Sequence, residues 1–216
     1  MKTTGLAVAI FLALISLAHA QGKTKPKKSR NPDQPRFDVS LGLAGVFSKT
    51  SHATQSGDVD KPTTSAEVLA SFRYHFTHTH GVEVNFGHTN NSQVFTVPPD
   101  IFRVGNGITE FSAAYVFSPF HAGRIDPFLL AGGGTLKFNP GSQFIDGNSS
   151  PFGAKSQRDL AVLYGAGVDY RFWKWFAVRL QYRGLIYKTP DFAVPNLRTG
   201  VYGHMAEPSV GLVVKF

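Results

Sequence analysis

The sequence contains no cysteine, so neither a disulfide nor a thiolate metal site can hold the fold together. Stability must come from packing and hydrogen bonding. Beyond residue 20 no stretch approaches eighteen consecutive apolar residues, which excludes a membrane-spanning helix. A helical period is missing as well: no window beyond residue 20 shows a convincing one. Acids are scarce. Fourteen Asp and Glu stand against 22 Lys and Arg, for a formal charge of +8. That surplus is unevenly spread, and its distribution is more informative than its sum.

The first twenty residues, MKTTGLAVAIFLALISLAHA, carry Lys2, an apolar run from Leu6 to Leu17, and then Ala18-His19-Ala20. The run is shorter than the ~20 apolar residues a span needs, and small residues follow it. Residues 1–20 are therefore expected to be a cleaved secretory signal. Residues 21–36 follow with six bases, Lys23, Lys25, Lys27, Lys28, Arg30 and Arg36, against Asp33 alone, a net of +5. Pro26, Pro32 and Pro35 interrupt them. This segment reads as a solvated, disordered basic leader on the periplasmic side. It could touch anionic lipid or cell wall, and no nucleic-acid partner is expected.

From residue 37 to 216 the sequence becomes rhythmic. Eight segments read as strands, at about 36–48, 65–76, 81–89, 107–117, 126–138, 159–172, 175–187 and 205–216. The connections alternate in length. Residues 77–80, 118–125 and the pair around Trp173-Lys174 are short, whereas 49–64, 90–106, 139–158 and 188–204 are long and rich in Ser, Thr, Asn, Gly and Pro. That alternation is expected of an up-and-down meander with turns at one end and loops at the other.

Each segment divides into two faces with a period of two. One face is apolar and reads, for example, Phe37, Val39, Leu41, Leu43 and Phe47 in the first segment and Phe128, Leu130, Leu136 and Phe138 in the fifth. The other face takes the charges: Asp38, Glu67, Glu83, Glu110, Asp169 and Glu207 against Arg73, Lys137, Arg171, Arg179, Arg183 and Lys215. Aromatic residues of the apolar face gather beside the short turns: Tyr74, Phe76, Phe117, Tyr170, Phe172, Trp173 and Trp175. Aromatic belts of this kind mark a membrane interface. Small residues such as Ser40, Gly42, Gly165 and Ser209 interrupt the charged face and suit a narrow lumen. The pattern points to an all-β fold, an eight-stranded antiparallel transmembrane barrel with its apolar face on lipid and its charges inside. Lipid cannot pair backbone groups, so the eighth strand must meet the first.

The stretches PFLLAGGGTLKF (127–138), LYGAGVDYRFWKWFAVRLQYRGLIY (163–187) and the terminal SVGLVVKF resemble the OmpA-like and OmpX-like family of small outer-membrane β-barrels. The resemblance implies a cell outer-membrane location and the lipid bilayer as the main partner. It also implies that Val210, Leu212, Val214 and Phe216 form a terminal signal read by the barrel-assembly machinery. Two-domain members of that family also carry a peptidoglycan-binding domain; only the barrel is expected to carry over to this sequence.

Candidate chemistry is thin. The glycines of AGGGT (131–135) sit within a strand rather than before a helix, so they do not make a phosphate loop. His75, His78 and His80 surround one turn without a nearby thiol or carboxylate in sequence, and no metal or cofactor is expected. His204, Glu207 and Ser209 would suit an acyl hydrolase only if they shared a face, and alternation separates them, so no enzyme is expected. The seven lumen charges Glu67, Arg73, Glu83, Glu110, Arg179, Arg183 and Glu207 are the expected site, paired across the barrel. Three roles follow. The first is a structural or surface-interaction protein that binds a ligand through its outer loops. The second is a narrow ion or solute channel, and the third a lipid-modifying enzyme.

Overall fold

The computed structural model describes residues 36–52 and 59–216. The expectations for a signal in residues 1–20 and for nearly all of the leader fall outside the described residues. Eight strands form the wall: β1 (Phe37–Ser48), β2 (Ser65–His75), β3 (His80–Val97), β4 (Asp100–Phe117), β5 (Ile125–Ile145), β6 (Gln157–Arg171), β7 (Phe176–Lys188) and β8 (Tyr202–Lys215). Each pairs antiparallel with its sequence neighbours. The ring closes through β1 and β8, with Val39 opposite Val214 and Leu43 opposite Val210. At the seam the Phe37 N–H donates to the Phe216 carbonyl and the Phe216 N–H donates back, both at 2.9 Å. No strand edge is left for lipid to desolvate.

A greasy band runs around the outer wall. Leu41, Leu160 and Leu212 are 61%, 66% and 63% exposed, far beyond what a surface in water would carry as one continuous band. Short turns at 76–79, 118–124 and 172–175 join the strands at one end. Around that end Phe76, Phe117, Tyr170, Phe172, Trp173, Trp175 and Phe216 project outward. Tyr74 completes the row, against Phe76 and Phe37, and Phe37 stacks on Phe216 with ring centroids 5.9 Å apart.

Two expectations are corrected. Segment 90–106 is not a loop. β3 and β4 run on as one hairpin, paired from His80–Phe117 to Val97–Asp100 and turning at Pro98-Pro99. β5 likewise extends to Ile145, where it pairs the short strand Asn148–Ser149. Two more short strands, Ser51–His52 and Val59–Pro62, continue the sheet, and Val59–Pro62 pairs with β3. Alternating Phe95, Phe102 and Val104 are buried and drive this extension. Asn, Gly and Thr around them had masked the period.

The second correction concerns β5. Phe128, Leu130, Leu136 and Phe138 are 2%, 4%, 0% and 0% exposed and face inward, while Leu129 and Lys137 face out. Both faces of this strand are apolar, so alternation alone gave the wrong phase. The glycines of the strand allow close approach to β4: a Cβ at Gly132 or Gly134 would collide with the carbonyls of Ala113 and Phe111.

Candidate functional site

The inward side chains form three tiers. In the tier nearest the short turns, Arg179 is the hub. Its Nε and Nη2 donate to the two oxygens of Asp169, its cross-strand partner, at 2.7 and 3.0 Å. Nη2 also reaches Asp38 at 3.0 Å and Nη1 reaches Glu83 at 3.2 Å. Arg73 pairs with Glu83 at 2.6 Å, opposite it in the β2–β3 register. Lys215 bridges Asp169 at 3.1 Å and Asp126 at 3.4 Å, and Arg171 meets Asp126 at 3.3 Å. Four acids thus oppose four bases. The Phe128 ring lies under both guanidinium groups, 4.1 Å from Arg73 and 5.2 Å from Arg179, which favours the cations further. Pairing of this quality is what buried charge requires.

The middle tier is unbalanced. Arg183 pairs with Glu110 and with Glu207, the latter at 2.9 Å. Carboxylate oxygens of Glu67, Glu110 and Glu207 all lie within 4.8 Å of one another. Three acids therefore share one guanidinium. Among the described residues, Glu67 Oε2, Glu207 Oε1 and Arg183 Nε and Nη1 have no hydrogen-bond partner. Below this tier a cavity of about 10 Å³ is lined by Ser40, Gln181 and Ser209 among others, room for about one water.

The third tier, toward the long connections, is apolar. Val46, Ile108, Leu136, Phe138, Leu163, Leu185, Tyr187 and Met205 form one buried cluster. The 189–201 connection folds into it: Phe192 and Leu197 are 0% and 1% exposed, and the Phe192 ring packs edge-on against Phe138 and Phe95. Gln157 Oε1 accepts the Asp191 and Phe192 N–H groups at 3.1 and 3.0 Å, which fixes the inserted segment. Beyond the wall, Asp60 is buried in the sheet extension. Gln93, with its amide nitrogen turned to it, donates to both carboxyl oxygens at 3.0 and 3.1 Å. Burial pushes the Asp60 carboxyl up to about 8, against the Gln93 N–H groups, which favour its ionised form.

The seven charges expected at the site fall into the first two tiers. Asp38, Asp126, Asp169, Arg171 and Lys215 join them, and alternation signals four of these five. The apolar third tier is what sequence reasoning missed, because it rests on β5 in the opposite phase and on a loop segment. His204 lies on the outer wall, where its Nε2 meets the Tyr164 hydroxyl at 2.7 Å. Glu207 lies in the lumen, and Ser209 turns its hydroxyl to the Gln181 carbonyl, so the three do not converge. The turn histidines also diverge: His75 meets Asp38 at 3.0 Å in the lumen mouth, while His80 contacts Tyr115 on the outer wall.

An eight-stranded ring with lipid-facing leucines and internal charges is the architecture captured by the model for the outer membrane protein beta-barrel domain, which matches residues 7–216. The chain belongs to that family. It is therefore a bacterial outer-membrane protein, with short turns on the periplasmic side and the sheet extension outside. Solved barrels share the fold at low identity. OprG of Pseudomonas aeruginosa matches with a TM-score of 0.56 at 15% identity, over 85% of this chain and 96% of its own. Neisserial surface protein A gives 0.53 at 16%, over 83% and 97%. Ail, the attachment invasion locus protein of Yersinia pestis, solved with the heparin analogue sucrose octasulfate, gives 0.52 at 16%, over 85% and 99%. No curated protein matches the chain.

Proposed function

We propose that this barrel is a surface-binding protein of the outer membrane that works through its extracellular sheet extension rather than by passing solutes. The observation that carries this reading is the apolar third tier, with Phe192 and Leu197 folded into the lumen. An ion meeting that layer would lose its hydration without a polar partner. The extension supports the reading further. It rises beyond the lipid-facing band on β3, β4 and β5, and its outer side bears a groove of about 340 Å³ lined by Val94, Ile101, Arg103, Phe144 and Gly147. Apolar residues around one cation suit an amphipathic or anionic ligand. Ail, of the same fold, was solved with a heparin analogue, which suggests heparin as a first probe.

The test is adhesion of expressing cells to heparin-coated wells. Joining Asn90 to Gly107 through an Asn-Gly turn removes the hairpin while keeping the barrel wall, because these residues are cross-strand partners. Adhesion should vanish with the hairpin while the barrel still folds. Adhesion that survives the trimming would overturn the assignment to this element.

A narrow channel is the second reading, favoured by the unpartnered polar atoms of the middle tier. In both readings residues 1–20 direct export and residues 21–36 remain in the periplasm. Val210, Leu212, Val214 and Phe216 serve as the assembly address.

A further inference from the structure

The outer wall is not uniformly apolar. Three cations break it on adjacent strands: Lys137 on β5, Arg158 on β6 and Lys188 on β7. All three are exposed. Their strands place them just beyond the last lipid-facing residues. Leu160, two residues from Arg158, is 66% exposed, and Ile186, two residues from Lys188, is 40% exposed.

The register draws them together. Lys137 and Arg158 are direct cross-strand partners, and on the next strand Lys188 directly follows Tyr187, the partner of Ala161. Like charges directly opposite on one face repel and cost stability, so an isolated barrel would not favour this pair. No acid answers them from the same side. The outward positions of β5, β6 and β7 carry no Asp or Glu. Asp159, which attracts Lys188, turns its carboxylate to Gln157 Nε2 at 3.1 Å. None of the three cations makes an ion pair within 4.0 Å among the described residues.

We propose that Lys137, Arg158 and Lys188 form a docking surface for the phosphate-bearing headgroup of a lipid in the outer leaflet. Its acyl chains would lie on Leu160, Val162 and Ile186 below. The occupant follows from position and charge: the surface faces the bilayer at headgroup depth, and only an anion relieves the cross-strand repulsion. Cations near such a surface gain from anionic lipid, and the long side chains reach headgroups while their stems stay on apolar wall. This inference rests on the outer-membrane location alone and is independent of what the extracellular hairpin binds.

The test is native mass spectrometry of the refolded barrel in detergent, titrated with diphosphorylated lipid A and with its fully dephosphorylated form. The wild type should hold the diphosphorylated lipid at least tenfold more tightly. K137Q/R158Q/K188Q should lose that preference and bind both forms alike. R124Q, at the periplasmic turn, should change nothing. Equal binding of the two lipids by the wild type would overturn the proposal without any variant. So would a folded triple variant that keeps the preference, and so would a preference abolished equally by inorganic phosphate at millimolar concentration, which would mark a free-anion site.

Discussion

In the periplasmic half of the lumen one guanidinium, that of Arg179, touches three carboxylates. In the extracellular half the comparable position belongs to Phe138, packed against the rings of Tyr187 and Phe192. Both halves fill the same narrow tube, but by opposite means. The charged half gives direction and register, because each ion pair is satisfied in only one arrangement. Its net stability is small, since desolvation offsets most of the attraction. The apolar half needs no such matching, tolerates a loop as part of its filling, and excludes water. Between them sits a tier that follows neither rule, with three acids around Arg183. The difference teaches where this barrel is built for specificity and where it is built to close.

The largest effect should come from removing the hub. Arg179→Ala leaves Asp38, Asp169 and Glu83 without their shared partner, a loss of about 3–5 kcal/mol, read as a lower urea midpoint for unfolding from lipid vesicles. A wild-type midpoint would mean the charged half is not held by this residue. Next is Phe138→Ala, which empties the centre of the apolar tier and should cost about 3 kcal/mol or more. It should also raise proteolysis of the 189–201 connection, since Phe192 loses one of its two ring partners.

A pH effect separates the extension from the wall. The Asp60 carboxyl keeps its proton up to about 8 when folded, and up to only about 3.9 when unfolded. Between those values the folded state binds more protons, so stability falls as pH rises from about 4 through about 8 and then levels off. Asp60→Asn should flatten that slope, measured by thermal unfolding across the range. The smallest effect is expected at the middle tier. Glu67→Gln removes one of three acids around one base, so it should shift stability by no more than about 1 kcal/mol and in the favourable direction. A loss as large as that of Arg179→Ala would mean that all three carboxylates are needed.

Much of this was legible in the sequence. The period of two, the alternating connection lengths and the charges on one face led to eight strands and a closed ring, and β1, β2, β7 and β8 follow that reading closely. It failed where one face did not differ from the other. In PFLLAGGGTLKF both phases offer apolar residues, and glycine carries no sign, so alternation alone turns the inner residues of β5 outward. The β3–β4 hairpin hid behind Asn90, Asn91 and Ser92, polar residues that suit a loop by composition yet pair in register with Gly107, Asn106 and Gly105. The insertion of Phe192 could not be read at all, because a lone aromatic in a loop has no period to report.

The most direct test of a sealed lumen is single-channel recording of the mature chain refolded into a planar bilayer, with insertion checked independently. Silence at all voltages is the expected result, because the Phe138–Phe192 layer closes the tube. Discrete conductance steps from the folded barrel would contradict it, and would move the functional site from the extracellular hairpin to the charges around Arg179 and Arg183.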